Sequence, residues 1–170
     1  MQINLEVDGF EKLFKNMDEL KEEIGKTKTD AIWKSALTEA FRPVLDSARE
    51  RAPVNTGQMM EHIQMNARRP TSRDKRSIYY AGESYMVSVY VSPQRDDEKV
   101  NYRLNKKGKI KEILKPVAVS QEFGNARVPA HPFMRVSLES NYDQVITRLQ
   151  QALSDKLFNA WDKLRNMKQG

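Results

Sequence analysis

The sequence predicts an α+β protein. Apolar residues recur at three- and four-residue steps towards both ends of the chain, and they alternate with polar residues at its start and middle. The length of 170 residues, with 39% apolar composition, suits a single domain with a sizeable core.

The elements follow in order. Ile3, Leu5 and Val7 alternate and predict a short strand, ended by Asp8-Gly9. Phe10, Leu13, Phe14, Met17, Leu20 and Ile24 predict one apolar helix face, with Gly25 as the stop. A second helix is predicted from about Thr29 to Arg51, capped by Thr29 or Asp30. Ile32, Leu37, Phe41, Val44, Leu45 and Ala48 mark its buried side, and Pro43 should kink or split it. Pro53 ends this segment, and Asn55-Thr56-Gly57 turns the chain.

Met59 to Ala67 fits either a helical turn or a strand. Tyr85, Val87, Val89 and Val91 alternate cleanly and predict a strand. Val117 and Val119 predict another, finished by Glu122-Phe123-Gly124. Between them runs Ser92–Pro116, long for a connection inside a domain, with Val100, Tyr102 and Leu104 as one arm of an extended hairpin. Pro132 suits the first turn of a helix. From Phe133 to Met167 the helical spacing continues, which predicts one helix of roughly 50 Å.

The formal charge of +6 is unevenly placed. Residues 67–116 hold 13 Lys and Arg against 6 Asp and Glu, while the remainder holds 16 against 17. A basic segment of this kind meets nucleic acid or an acidic protein surface, or it is a solvated loop. Tyr79, Tyr80, Tyr85 and Tyr90 lie among these charges, but they match no standard nucleic-acid motif. Non-specific phosphate contact stays open as an alternative function.

Several chemistries are excluded or disfavoured. The chain has no Cys, so it has no disulfide, thiol catalysis or cysteine metal site. Its two histidines, His62 and His131, are too few for a histidine-rich metal site. No glycine-rich phosphate loop and no nucleophile elbow is present. Glu61 with His62, or Glu122 with His131, are the only conceivable acid–base pairs, and no enzyme or cofactor is expected. No apolar run is long enough for a bilayer, and the alternating N-terminus lacks a signal-peptide core, so manufacture in a cytoplasm is expected.

Three motifs stand in order along the chain: Asp8-Gly9-Phe10 before a Leu-rich helix; Ala52-Pro53-Val54-Asn55-Thr56-Gly57 with Met59 or Met60 and Ile63 beyond; and Glu122-Phe123-Gly124 followed by Ala130-His131-Pro132-Phe133-Met134-Arg135. In this order they resemble the tail-completion, or head–tail joining, proteins of long-tailed double-stranded-DNA phages. Asn55 stands where Asp is common, Met59 where Leu is common, and Val136-Ser137 where Pro-Ala is usual.

The resemblance implies a small, mostly antiparallel sheet with N-terminal helices and a long C-terminal helix packed against it. It also implies a structural role without catalysis: a ring, usually hexameric, between the head connector or stopper and the tail tube or terminator, with DNA passing through. Pro53, Asn55, Thr56 and Gly57, and Glu122, Phe123, Gly124, His131, Pro132, Phe133 and Arg135, are then structural motif residues. Phe133 is expected in the core and Glu122 beside Arg135. Candidate lumen or partner contacts are Arg68, Arg69, Arg73, Lys75 and Arg76 in one loop, and Lys106, Lys107, Lys109, Lys111 and Lys115 in the other. Leu157, Trp161 and Leu164 are the candidate subunit interface.

Overall fold

The computed structural model describes residues 10–53, 58–92, 101–104, 110–113 and 117–169. The strand expected at Ile3–Val7 and the Asn55–Gly57 turn lie outside them. Helix α1 (Phe10–Ile24) and helix α2 (Lys26–Ala40) are joined by Gly25 alone. Gly25 has φ +83°, a left-handed conformation that favours glycine, and its N–H reaches the Lys21 carbonyl at 3.0 Å. The cap expected at Thr29 or Asp30 does not form, because α2 begins already at Lys26. Gly25 supplies the first carbonyl acceptor, and buried Thr29 donates its hydroxyl back to it at 3.2 Å.

The helix expected over Thr29–Arg51 is split. Phe41 turns the chain, and α3 (Arg42–Arg51) follows. Pro43 sits in the first turn of α3, where its missing donor has no intrahelical partner to lose. In a continuous helix its ring would meet the Glu39 carbonyl. Both readings of Met59–Ala67 are realised in succession: one helical turn, α4 (Gln58–Glu61), then strand β1 (Ile63–Arg68).

Strand β2 (Met86–Val91) pairs antiparallel with β1, placing Ile63 opposite Val91 and Arg68 opposite Met86. A second antiparallel hairpin, β3 (Asn101–Leu104) with β4 (Ile110–Ile113), lies in the long excursion. Among the described residues these are two separate two-stranded sheets.

The strand expected at Val117–Glu122 is instead helix α5 (Val117–Phe123). Its short apolar alternation suits either state, and Gly124 decides the end: with φ +73° it donates its N–H to the Ser120 carbonyl at 2.9 Å. The continuous C-terminal helix is also corrected. It breaks into α6 (Met134–Ser140) and α7 (Tyr142–Gln169) at Asn141. There side chains compete for backbone carbonyls: Ser137 Oγ donates to Phe133 O at 2.6 Å, and Asn141 Nδ2 to Ser137 O at 2.8 Å. Helix α7 alone is about 42 Å long.

Three apolar clusters hold these elements. In the largest, Ala36, Leu37, Ala40 and Val44 meet Val145, Leu149, Ala152 and Leu153, with Val87 and Val89 of β2 against them. The alanines let α2 and α7 approach closely, and the strand alternation points Val87 and Val89 inward. A second cluster joins Ala48, Ala52, Ile63 and Phe133, so α3, β1 and the start of α6 share one core. A third joins Met17 and Leu20 of α1 to Leu157 of α7. The result is the expected α+β arrangement: N-terminal helices and a long C-terminal helix with a small antiparallel sheet.

Candidate assembly interface

The Glu122–Arg135 stretch is a junction. Phe133, which precedes α6, offers no side-chain cap, so the first N–H groups of that helix need an outside acceptor. Glu122, at the end of α5, supplies it. Its Oε2 accepts from Phe133 N at 2.8 Å and Met134 N at 2.9 Å, and its Oε1 accepts from Arg135 N at 3.0 Å. Arg135 completes the clamp, with Nε on Glu122 Oε1 at 3.0 Å and Nη2 on Glu122 O at 3.1 Å. Burial alone would raise the Glu122 pKa. The three backbone donors and the Arg135 side chain outweigh it and hold the pKa below the usual carboxylate range.

Around this clamp the chain is shaped by turn chemistry. Asn125 Oδ1 accepts from Arg127 N at 2.8 Å and Val128 N at 3.0 Å, closing an Asx-turn. His131 is exposed, and its backbone N–H reaches the Gln121 carbonyl at 2.6 Å. The Glu122 carboxylate is turned to α6, so the imagined Glu122–His131 pair is not assembled. Phe133 is fully buried against Ala48, Ala52 and Ile63. Phe123 lies on the outside, 65% exposed, with the Arg135 guanidinium 5.1 Å from its ring centre. Pro53 is half-buried after α3 and Pro132 half-buried before α6; Asn55, Thr56 and Gly57 lie outside the described residues.

The basic loop divides into two kinds of cation. Arg68 pairs with Asp74, its Nη2 3.1 Å from Oδ1, and Asp74 also takes the N–H and hydroxyl of Thr71 at 2.7 and 2.6 Å. Arg69 reaches across to α2, with Nε 2.8 Å from Asp30 Oδ2. Tyr85 donates its hydroxyl to the same Asp30 carboxylate. The Arg69 hydrogen bond is the chief reason the Asp30 pKa is lowered to about 2. Burial, then Asp30, raise that of Tyr85 to about 12. Tyr85 stacks on Trp33 with ring centres 5.4 Å apart, and Trp33 lies 5.6 Å from Phe14. A groove of about 710 Å³ runs past these rings between α1 and α2.

Arg68 and Arg69 are therefore fasteners of the fold. Arg73, Lys75 and Arg76 are exposed, and none of them joins an ion pair among the described residues. Of the second basic group, Lys111 is in register with Arg103 in the β3–β4 pairing. Lys106, Lys107, Lys109 and Lys115 lie outside the described residues.

The residues expected at a subunit interface on α7 line its contact with α1. Leu157 is buried against Met17 and Leu20, and Trp161 and Leu164 pack beside it against α1. Within the chain Leu157 is core and the half-buried Trp161 and Leu164 border it, because α1 covers that face of α7. Among the large apolar residues left outside are Phe158, 71% exposed, and, on the basic loop, Ile78 at 90% and Tyr79 at 68%. Sequence reasoning missed Phe158 and Ile78: Phe158 falls between the apolar positions that mark the buried side of α7, and Ile78 sits in a stretch read for its charge and its tyrosines.

Among the described residues no group of three His, Asp or Glu could hold a metal ion, and no helix is long and apolar enough to cross a membrane. No curated protein and no solved structure gives a significant match to the chain. A family profile does. It covers α1 to β2, including Pro53 and the Asp30–Arg69–Tyr85 cluster. Residues 11–91 match the HK97-gp10-like family, described as "Bacteriophage HK97-gp10, putative tail-component", a match consistent with the phage head–tail joining and tail-completion proteins that the motifs resemble.

Proposed function

We propose that this protein is a ring-forming tail-completion component, a single folded domain that caps the top of the phage tail and joins it to the head. The observation that carries the reading is the family match over residues 11–91. The geometry supports it. The motif residues that are described build a stiff junction with its donors and acceptors satisfied, which is what a structural part needs. The cations left over at Arg73, Lys75 and Arg76 lie on a loop that can reach a neighbour.

In this reading six copies form a closed ring through heterologous contacts. One side meets the head connector or stopper protein, and the other the tail tube or terminator. DNA crosses the ring with transient, non-specific phosphate contact, and the particle is assembled in the host cytoplasm. The experiment is electron microscopy of tails and joined particles: six copies in a ring at the head–tail boundary are expected. Copies elsewhere along the tail, or heads and tails joining normally without the protein, would sink the reading. Deleting Lys106–Lys109 should reduce joined particles, since this loop is assigned to the lumen or to a partner.

A second reading, a non-specific nucleic-acid-binding module, is favoured by one observation: exposed Tyr79 lies within six residues of Arg73, Lys75 and Arg76, which are exposed and outside the ion pairs of the described residues. Tight binding of DNA by the isolated chain, falling steeply with salt, would support it over the structural role.

A further inference from the structure

Two exposed apolar patches on different elements are flanked by opposite charge. The first is the tip of the β1–β2 loop, where Ile78 and Tyr79 project and Arg73, Lys75 and Arg76 stand close in sequence. The second is the outer face of α7. There Phe158 projects, with Asp155 one turn before it and Asp162 one turn after it on the same side of the helix. Both aspartates are exposed and outside the ion pairs of the described residues; Arg165 lies a further turn on.

Scattered exposed apolar residues are ordinary on a protein surface. Here the charges around them are what matter. Neither patch covers the other within one chain, since Ile78, Tyr79 and Phe158 are all largely exposed. Neither can pair with its own copy, since three cations would face three cations, or two carboxylates two carboxylates. Each is complementary to the other in both apolar content and sign.

We propose that the two patches are the halves of one heterologous interface between copies of this chain. The Ile78–Tyr79 tip of one copy seats against Phe158 of the next, with Arg73 and Lys75 facing Asp155 and Asp162. Two different patches meeting head to tail generate either a closed ring or an open filament. Closure rests on the ring reading above; the contact itself does not. A stable interface buries about 800 Å² per partner, more than a loop tip on a helix, so this pair is the centre of a larger contact.

The absence of Cys from the sequence makes the test clean. A chain carrying both Tyr79→Cys and Phe158→Cys should give, on oxidation in solution and in assembled tails, a ladder of covalent multimers. Mixing the two single variants should stop at dimers. Asp155→Lys with Asp162→Lys should weaken self-association at least tenfold, and adding Arg73→Asp with Lys75→Asp to the same chain should restore it.

Rings that form without cross-linking would overturn this interface and leave the ring reading intact. Cross-linked open filaments would keep the interface and overturn closure. Efficient dimers from either single variant alone, a chain that never self-associates, or charge reversal without rescue would each overturn the proposal. So would normal rings from an Arg73→Asp, Lys75→Asp chain that has lost only DNA binding, which would assign the loop to nucleic acid.

Discussion

At the α5–α6 junction the Glu122 carboxylate, 5% exposed, faces three backbone donors and a guanidinium. At the tip of the β1–β2 loop three cations and two large apolar side chains face solvent instead. Both regions stand out in the sequence as charged segments with an aromatic beside them. In the first, Glu122 and Arg135 meet each other inside the chain, and removing Glu122 would leave backbone donors of α6 without an acceptor. In the second, carboxylates meet Arg68 and Arg69 at the base, whereas no described carboxylate meets Arg73, Lys75 or Arg76 at the tip, where Arg76 Nε reaches only the Ser72 carbonyl at 3.3 Å. Charge density alone does not separate a scaffold from a contact surface. The location of each charge's partner does.

The comparison can be broken first at its aromatic residues. Phe133→Ala should cost about 4 kcal/mol of stability in denaturant titration, because a fully buried ring leaves a cavity among Ala48, Ala52 and Ile63. Ile78→Ala, at 90% exposure, should change stability by less than about 0.5 kcal/mol. Equal losses at the two sites would show that the loop tip is part of the fold.

Next is the clamp itself. Glu122→Ala should cost about 3 kcal/mol, since it strands the first N–H groups of α6 as well as Arg135. Glu122→Gln keeps the shape and one acceptor oxygen and should cost less. The same unfolding midpoint for both variants would show that occupancy, not hydrogen bonding, is what the site needs.

Gly124→Ala should cost about 2 kcal/mol, from a positive φ and an added Cβ that would lie 2.8 Å from the backbone nitrogen of Ala130. Thermal unfolding that is unchanged by this substitution would mean that the turn after α5 can relax.

The smallest effect concerns pH. The Asp30 pKa is lowered to about 2 in the folded chain, below the unfolded carboxylate value of about 4. Its ion pair therefore contributes fully above about pH 4, and the contribution is lost as pH falls towards 2. Because Arg69 is 42% exposed, solvent screening limits this to about 1 kcal/mol. Glu122 titrates in the same direction and adds to the loss. Urea titrations at pH 4 and pH 2 should show a smaller drop for Asp30→Asn than for the parent chain; an equal drop would assign the acid sensitivity elsewhere.

Helical and strand content was legible where apolar residues repeat over many turns or alternate without interruption. Phe10–Ile24 and Met86–Val91 are the clearest cases, because burial on one face demands that spacing locally. Pro43 likewise announced a break, since a missing donor and a steric ring act within one turn. The motif residues carried the resemblance to phage tail proteins, and the matching profile over residues 11–91 rests on sequence as well.

Tertiary structure decided the rest. Val117–Phe123 is helical although its alternation is equally suited to a strand, because Gly124 and the docking of Glu122 on α6 favour the helix. Only the packing of α1 on α7 shows that Leu157 is core, with Trp161 and Leu164 packed beside it, while Phe158 is surface. Likewise, Arg69 is separated from Arg73 only by the position of Asp30, 39 residues away in the chain. Periodicity reports which side of an element is apolar. It does not report what covers that side, because the covering partner is set by contacts between residues far apart in sequence.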